Sequence, residues 1–506
     1  MQKIVLFGLS LACSMIFGCP GSSDVVPQRP ASDAAPTTAS NGITLVDIIP
    51  ESLSGETNQD SEPFLAVHSD PNVLAASAFT PNPSGASSTT APIFISLDGG
   101  TTWTLNAIVP SVTMTCDITQ AFGGTAASLP RGTLYNGILP NPCSNGTTLH
   151  ELDTPDIASS TTMAEKNHRD DVDQPFVQVV QFNDKDHIYI GNNDFGGPSG
   201  RTATLDLSTD GGASYVPIRL EKRNTSPSNA PSIRPSVAKD GTVYVAFFGW
   251  RSFSGDASSG IAKSDIVVVR DDNRGTTTPP FEGLKDPSDG LPGKLVATGR
   301  TIPWVNPWPN PGPLGQERIG SSLSIAVDPN DSKTVYLAWA DRTGSDIYTL
   351  HLRRSSNRGK DWSGDLQAPI SNATNPALAI ADHGVVGFLY QQVTGSGSGA
   401  RWVTHFEQTR DGFAHIQDSV LANTSATDPP MKGLPYLGDY NYLLAVQNEF
   451  RGIFSASNKP DPANFPSGMA KYQRRVDLPG KRLLDGSGNP VQVSIDPFYF
   501  HVLVLN

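Results

Sequence analysis

Short apolar runs recur along the chain and are separated by stretches rich in Gly, Pro, Ser and Asp. Runs of this length between turn residues are typical of β-strands, and no long segment has helical periodicity. Seven runs share one pattern, at 72–77, 132–137, 187–191, 241–246, 333–338, 384–389 and 451–456. Each follows another run that often opens with Pro or a polar residue, at 62–67, 117–119, 173–177, 233–237, 321–325, 375–379 and 438–442.

A turn of the form S-x-D-x-G-x-T-W also recurs. It is complete at 96–103, has Tyr for Trp at 208–215 and has Asn for Asp at 355–362, while 271–275 and 409–412 look like degenerate copies. In such a hairpin turn the Ser and Asp side chains bond turn amides, Gly supplies a positive φ, and the aromatic ring tucks under the next strand. A repeated unit of this kind decides the fold.

These turns resemble the Asp-box, or bacterial neuraminidase repeat, of the sialidase-like β-propellers. The pattern covers most of residues 43–506. The resemblance is specific for the fold and much less so for activity. In that family the box lies at the turn between the two outer strands of a blade, away from the active face, so it implies a structural role here.

Each unit therefore contains an inner strand, a second strand, a third strand, a box or plain turn, and an outer strand. Four-stranded units repeated around an axis make a β-propeller. We predict an all-β propeller over residues 42–506 with seven blades, and six blades as the alternative, since sialidases have six. Residues 42–49 are available to close the ring with the last blade, and residues 104–172 hold a blade without a good box.

Composition and charge narrow the partners. The 47 Gly, the 42 Pro and a hydrophobic fraction of 37% suit many short strands and turns. A formal charge of −13 argues against nucleic acid or an anionic membrane surface as a partner. We expect a monomer that contacts a membrane only through a lipid anchor.

The N-terminus has the layout of an export signal. Lys3 precedes the apolar run 4–17, which is short for a membrane span, and Gly18-Cys19 follows. This ending resembles a bacterial lipobox, which implies lipidation of Cys19; an ordinary signal peptide with an incidental Cys is the alternative. We divide the chain into a signal at 1–19, a flexible linker at 20–41 and the propeller at 42–506, located in the cell envelope on the periplasmic or extracellular side.

Export also permits disulfides. Cys116 and Cys143 are the two cysteines left after the signal segment. We expect them to pair, and two separate thiols are the alternative.

Propeller topology places the starts of the inner strands and the ends of the second strands on one face, here called the upper face. The boxes then lie on the lower face. Arginines from neighbouring blades can converge on a carboxylate, their preferred bidentate partner. The pattern places these acids and bases on the upper face: Glu62, Asp117, Asp173, Asp194, Asp439, Arg234, Arg251, Arg318 and Arg342.

The resemblance to sialidases implies roles for some of these residues. That family binds the substrate carboxylate with an arginine triad, attacks with a Tyr activated by a Glu, and uses an Asp as acid and base. The matching candidates are Arg234, Arg318 and Arg342 for the triad, Tyr440 as nucleophile, Glu317 as its partner, and Asp173 or Asp117 as acid.

The chain also departs from the family. Its first inner strand opens with Ser61-Glu62-Pro63 and lacks the expected Arg. Salt bridges between blades are the alternative role for the arginines, and packing within a strand is the alternative for Tyr440.

A Pro-rich insertion at 276–320 carries Trp304 and Trp308 on a stiff loop. Apolar sugar faces stack on such rings, so both are candidates for glycan binding. The alternative is that both pack against the blades as a lid.

No cofactor is predicted. Residues 167–174 pack three acids into four positions, which leaves Ca²⁺ open beside a plain solvated loop, and a ring of acids at the inner-strand starts is a second place for one cation. His168 has no second His at zinc-ligand spacing.

These observations favour an exported propeller that binds or hydrolyses a glycan, as an exo-glycosidase of sialidase type. The alternative is a non-catalytic cell-envelope propeller that binds protein or carbohydrate. Whether the chain is an enzyme stays open, because the fold does not decide it.

Overall fold

The computed structural model describes residues 42–79, 90–110, 115–124, 132–140, 148–160, 162–196, 202–223, 232–255, 260–303, 313–344, 347–431, 434–468 and 470–505. The signal and linker predicted at 1–41 lie outside them, as do Cys19, Cys143, Trp304 and Trp308. No helix in the described part is long and apolar enough to cross a membrane.

The described residues form strands and short 3₁₀ turns. The 3₁₀ turns are Glu51–Leu53, Ile319–Ser321, Gly397–Gly399 and Pro462–Asn464. The strands are β1 (Thr44–Asp47), β2 (Ser61–Val67), β3 (Leu74–Phe79), β4 (Thr90–Ser96), β5 (Thr104–Pro110), β6 (Thr115–Phe122), β7 (Leu134–Pro140), β8 (Thr148–Thr154), β9 (Ala164–Asp170), β10 (Val172–Phe182), β11 (Lys185–Asp194), β12 (Thr202–Ser208), β13 (Val216–Arg219), β14 (Ile233–Val237), β15 (Val243–Ser254), β16 (Ile261–Asp271), β17 (Lys294–Pro303), β18 (Leu323–Val327), β19 (Val335–Gly344), β20 (Ile347–Ser355), β21 (Ile370–Ser371), β22 (Ala373–Ile380), β23 (Val386–Thr394), β24 (Arg401–Thr409), β25 (Gln417–Ser425), β26 (Tyr442–Val446), β27 (Glu449–Ser457), β28 (Lys471–Tyr472), β29 (Val476–Asp477), β30 (Arg482–Leu484), β31 (Pro490–Val491) and β32 (Ile495–Leu503).

Consecutive strands pair antiparallel into four-stranded sheets. Within the described ranges there are six of these, β2–β5, β6–β9, β10–β13, β14–β17, β18–β21 and β22–β25. A five-stranded sheet has the order β26-β27-β32-β1-β28, and β29–β31 form a small separate sheet. The first strands of neighbouring sheets contact one another from β2 through β6, β10, β14, β18 and β22 to β26, which contacts β2 again. This closed circle of small sheets is a β-propeller.

The chain ends meet in the five-stranded sheet. β1 runs antiparallel to β32, and Leu45 lies opposite Phe500. The prediction that residues 42–49 supply a closing strand is confirmed. Closure of this kind ties the start of the chain into the last unit of the ring.

Apolar side chains fill the space between neighbouring sheets. In the fourth sheet the run from Val243 to Trp250 is buried at every position, because both faces of that strand pack against protein. Trp250 and Trp339 lie in one core cluster shared by two successive sheets. The apolar runs predicted the strand centres, but they missed polar extensions such as the end of β15 at Ser254. The predicted insertion 276–320 contains a strand, β17, that pairs with β16.

The recurring turn has the same hydrogen bonds at each site. In the first copy, Ser96 Oγ accepts the Gly100 amide at 2.9 Å, Asp98 Oδ1 accepts the Thr102 amide at 2.9 Å, and Trp103 Nε1 donates to the Gly100 carbonyl at 3.0 Å. The matching amide bonds recur in the turns that begin at Ser208, Ser355 and Thr409.

Each of these turns starts at the last residue of a third strand. In the degenerate copy, Asp271 replaces Ser, and its Oδ1 accepts the Gly275 amide at 3.0 Å. Gly100 has a φ of 90°, and a Cβ there would lie 2.2 Å from the Tyr499 ring, so only Gly fits. The hydrogen bonding predicted for the turn is confirmed.

Candidate functional site

Several inner strands begin with a break in register on the upper face. Glu62, Gln174 and Asn375 each precede a Pro, have φ values of 54°, 56° and 53°, and lie where the pairing with the second strand shifts. β6 has a similar shift between Thr115 and Ile118. Bulges re-aim side chains, and a positive φ is strained for residues other than Gly. The side chains of Glu62 and Gln174 turn toward residues outside their own sheets, as the contacts described next show.

Arg318 is the centre of these contacts. It precedes the 3₁₀ turn Ile319–Ser321, and its Nε lies 2.6 Å from Asp439 Oδ1. Its Nη2 lies 2.8 Å from Glu62 Oε1 and donates to the Tyr436 hydroxyl at 2.8 Å. The side chain is 16% exposed, more than that of Glu62 or Asp439.

Asp439 accepts hydrogen bonds from several donors. Besides Arg318, its Oδ2 accepts the Gln174 amide at 2.8 Å and the Ser321 hydroxyl at 2.8 Å. We call Glu62, Asp117, Asp173, Arg318, Tyr436 and Asp439 the upper cluster.

The other acids of the upper cluster hold protons more tightly than usual. Burial raises the pKa of Asp117 to about 7, with a further push from the charges of Asp173 and Asp439. Burial raises the pKa of Asp173 to about 6, although Arg318 opposes the shift. Burial also raises the pKa of Glu62 well above its ordinary value. The cluster therefore combines a carboxyl group bound by several donors with acids that can donate a proton near neutral pH.

Two phenols differ in their burial and contacts: Tyr436 belongs to the upper cluster and Tyr440 lies beside it. The hydroxyl of Tyr436, which is half-buried, contacts both Glu62 Oε1 and Asp439 Oδ1. Tyr440 is buried and donates to Asp117 Oδ1 at 3.2 Å. The Tyr436 hydroxyl has one proton and can donate it to only one of these two carboxyls. The other carboxyl must therefore carry a proton of its own, which fits the raised pKa of Glu62.

The predicted pairing of Tyr440 with Glu317 is not formed. Glu317 Oε2 accepts the Asn375 amide at 3.1 Å, and its Oε1 accepts the Leu437 backbone N–H. Glu317 is fully buried, and burial raises its pKa to about 8. Although it is adjacent to Arg318 in sequence, it holds the segment that carries Tyr436 in place. The Tyr–carboxyl contact on the upper face is made by Tyr436 and Glu62 instead.

The three predicted arginines do not form a triad. Arg318 alone belongs to the upper cluster among them. Arg234 is buried, and its Nε and Nη2 donate to the carbonyls of Leu323 and Ser321 at 3.3 and 3.4 Å. Arg342 lies near the end of β19 opposite Tyr348, and none of the cluster's hydrogen bonds includes it. The register breaks bring the cluster together, and the apolar pattern alone does not show them.

Other predicted upper-face residues have local partners. Arg251 pairs with Glu221 at 2.9 Å and Asp265 at 2.6 Å, and Asp194 pairs with Arg169. Cys116 is disulfide-bonded, while its expected partner lies outside the described residues. Most of the segment 167–174 belongs to β9 and β10, where Asp170 and Asp171 are exposed while Asp173 is buried in the cluster.

In the described part of the chain, three buried carboxyls lie close enough to share a metal ion: Glu56, Asp60 and Asp496. The arginine at this site supplies a positive charge of its own. Arg474 Nη1 lies 2.7 Å from Asp496 Oδ2 and 3.8 Å from Glu56 Oε1. We call Asp47, Glu56, Arg474 and Asp496 the closure cluster, because it joins the start and end of the propeller.

Sequence reasoning missed Tyr436, Gln174 and Ser321. A signal was available for Gln174, because Glu62, Gln174 and Arg234 all stand before a Pro at an inner-strand start. Tyr436 precedes its strand by several residues, and the sequence pattern offers no comparable signal for it.

No protein-family model matches the chain, and no curated protein matches it either. Solved structures with a similar fold include the α-L-arabinofuranosidase Arb93A from Fusarium graminearum, at 11% identity over 91% of this chain and 98% of that chain with a TM-score of 0.42. A PL25 ulvan lyase is 10% identical over 83% of this chain and 93% of that one, with a TM-score of 0.48. The lectin SapL1 in complex with α-methyl fucoside is 9% identical over 75% and 100%, with a TM-score of 0.40. At these values the similarity assigns neither a family nor an activity.

Proposed function

We propose that this chain is a glycan-acting hydrolase whose catalytic centre is the upper cluster. The supporting observation is the contact of Arg318 with Asp439, Glu62 and Tyr436 beside two further acids. Glycoside hydrolysis needs one carboxyl group that donates a proton and another group that stabilises or attacks the sugar. The upper cluster supplies both within a small partly open area.

Each member has a role in this proposal. Asp117 or Asp173 protonates the leaving oxygen, because burial raises both pKa values toward neutrality. Tyr436 is the nucleophile, and Asp439, whose Oδ1 contacts the same hydroxyl, takes its proton. Arg318 and Glu62 hold the Tyr436 hydroxyl in position. Neutral phenols attack poorly, so a carboxylate within contact is what the chemistry requires.

The narrower proposal is an exo-glycosidase of sialidase type. It rests on the Tyr436–Glu62 contact and on the recurring box turns. We further propose seven blades, one for each sheet that contributes an inner strand to the ring. The chain is exported, lipid-anchored through Cys19 and monomeric in this proposal, and Cys143 is the disulfide partner of Cys116.

A second function is favoured by the low exposure of the cluster. Glu62 is 4% exposed and Asp439 is 0% exposed, and their charges already face Arg318. A buried, internally satisfied cluster can simply fix the inner strands of a non-catalytic propeller that binds protein or carbohydrate. Turnover is what separates the two functions.

The test is a panel of fluorogenic aryl glycosides that includes a sialoside, assayed with the full chain. We expect turnover of at least one substrate, with a rate that falls as pH rises through about 7, because the acid then loses its proton. If Asp117 is the acid, Asp117→Asn should abolish this fall in rate with rising pH. If the fall persists in Asp117→Asn, the pH profile of Asp173→Asn tests the other candidate.

The outcomes separate the proposals. Turnover of the sialoside supports the narrower one, and turnover of neutral glycosides alone overturns it while leaving the broader one. No turnover on any substrate, together with glycan binding that survives Arg318→Met, would overturn catalysis at this site.

A further inference from the structure

A cavity of about 470 Å³ runs along the propeller axis below the upper cluster. Its deep end is formed by Arg234, Phe176 and Tyr440, and residues of the turns between first and second strands, including Lys239 and Asp382, line the opposite end. The cavity therefore faces the lower surface, away from Arg318. None of the roles assigned above uses this space.

Arg234 places a buried positive charge at the deep end. The residue is 2% exposed, and its Cζ lies 4.3 Å from the centre of the Phe176 ring. Nε and Nη2 donate to backbone carbonyls, whereas Nη1 has no hydrogen-bond partner among the described residues. A buried guanidinium that retains a free donor leaves desolvation incompletely offset.

Charges of the upper cluster act on Arg234 only from a distance. Tyr440, Asp439, Asp117 and Glu62 favour its charged form, yet no carboxylate in the described ranges forms an ion pair with it. Burial outweighs them and lowers the pKa of Arg234 to about 10. The side chain stays cationic at neutral pH and lacks a nearby counter-charge.

Serine hydroxyls add donors along the wall. Ser236 Oγ accepts the Val327 amide at 3.0 Å, and Ser324 Oγ accepts the Leu378 amide at 3.0 Å. Each hydroxyl keeps its own proton for another acceptor. Ser236 stands two residues after Arg234 on the same strand, so both side chains share one side of it.

The rest of the cavity selects for size and charge. Ala377, Ala379 and Ile325 contribute apolar wall, which suits the body of an organic ligand. At the mouth, Lys239 is neutralised by Asp382 at 2.6 Å. The interior thus offers a single uncompensated positive charge, which favours a singly charged head over a dianion.

We propose that this cavity is a second ligand site that binds a small organic carboxylate. The carboxylate accepts hydrogen bonds from Arg234 Nη1 and the neighbouring serine hydroxyls, and the apolar part lies against the alanine wall. The site is distinct from the upper cluster and does not depend on the proposed catalysis.

The probe is 4-bromobenzoate, with the neutral 4-bromobenzamide as its matched control. Isothermal titration of the full chain should show binding of the acid that weakens at least tenfold in Arg234→Met. Arg318→Met removes an arginine that does not line the cavity and should leave the affinity within twofold. Crystals soaked with the acid should show a bromine anomalous peak in the cavity next to Arg234.

The diffraction arm needs no variant, so the test survives if Arg234→Met fails to fold. A bromine peak at Arg318, no peak at all, or equal affinity for the amide would overturn the proposal. Loss of binding in Arg318→Met with retention in Arg234→Met would overturn it as well.

Discussion

The upper cluster and the closure cluster are built from the same parts, but they are set in different surroundings. Each has one arginine among several buried carboxyls. Arg474 has a fully buried side chain and donates to the carbonyls of Ser54 and Glu56 at 2.9 and 2.7 Å, so it joins distant parts of the chain. Arg318 is partly exposed and contacts a phenol as well as carboxylates.

This difference in exposure and in bonding partners indicates which buried ion cluster can have a function beyond stabilising the fold. In the closure cluster Arg474 Nη2 donates to two backbone carbonyls and Nη1 donates to Asp496. The backbone N–H of Asp60 donates to the Ile495 carbonyl at 2.8 Å, which fixes the start of β2 to β32. In the upper cluster the residues come from several inner strands and from the segments that precede others, and two of them, Arg318 and Tyr436, are partly exposed. A perturbed pKa alone does not separate the two, because both clusters have one.

Replacing the arginine of each cluster should give the largest difference between the two clusters in the free energy of unfolding. Arg474→Met removes the buried ion-pair partner of Asp496, and we expect the free energy of unfolding to fall by about 3–5 kcal/mol. Arg318→Met should cost less, because the Arg318 side chain is partly exposed, whereas the Arg474 side chain is fully buried. Chemical denaturation of both variants measures this, and an equal or larger loss for Arg318→Met would contradict the contrast.

Substitution of Tyr436 and of Tyr440 tests the catalytic role proposed for the upper cluster. Tyr436→Phe removes the hydroxyl that contacts Glu62, and on a substrate that is turned over we expect kcat to fall by about 10²–10³-fold. Tyr440→Phe is the matched control. Its hydroxyl contacts Asp117, so it should shift the pH profile with a smaller loss of rate. Equal losses in both variants would remove the distinction between the two phenols.

The closure cluster should respond to pH through stability alone. Burial raises the pKa of Glu56 to about 7 from an ordinary 4.5, so the folded state binds its proton more tightly than the unfolded state. Stability therefore falls as pH rises through this window. Glu56→Gln should flatten the dependence of the free energy of unfolding on pH. At pH 8 it should raise that free energy by at most about 3 kcal/mol, reduced by the part that the attraction between Glu56 and Arg474 contributes.

Urea denaturation between pH 4 and pH 8 measures this slope, with Glu51→Gln as the control, since Glu51 is exposed on the same segment. A steeper dependence in Glu56→Gln than in the wild-type chain would contradict the sign.

Much of the fold could be predicted because its signals are local. The Ser96–Trp103 turn places donors, acceptors and glycines at fixed spacing, and the apolar runs mark strand centres such as Val243–Trp250. The closing strand at 42–49 was predicted because it is an unpaired apolar run before the first unit. These features depend on neighbours in sequence.

The site could be predicted only in part, because it depends on residues far apart in sequence. Arg318, Asp117, Asp173 and Asp439 were identified from their positions at strand starts. Tyr436 was missed because it reaches Glu62 from a connecting segment rather than from a strand. The partner of Glu317 was wrong because a single residue's position does not tell which way its side chain turns beside the 3₁₀ turn at Ile319–Ser321.

The smallest expected effect concerns Arg342, an arginine that the sequence assigned to the substrate and that the structure leaves outside the upper cluster. It lies in β19 opposite Tyr348 and is partly exposed. We expect Arg342→Met to change kcat/KM by less than about twofold and the free energy of unfolding by less than about 0.5 kcal/mol, as for ordinary surface substitutions. The same assay and denaturation curves that test Arg318→Met measure it. A loss of kcat/KM comparable to that of Arg318→Met would show that the substrate spans both arginines, and the boundary drawn around the upper cluster would then be too narrow.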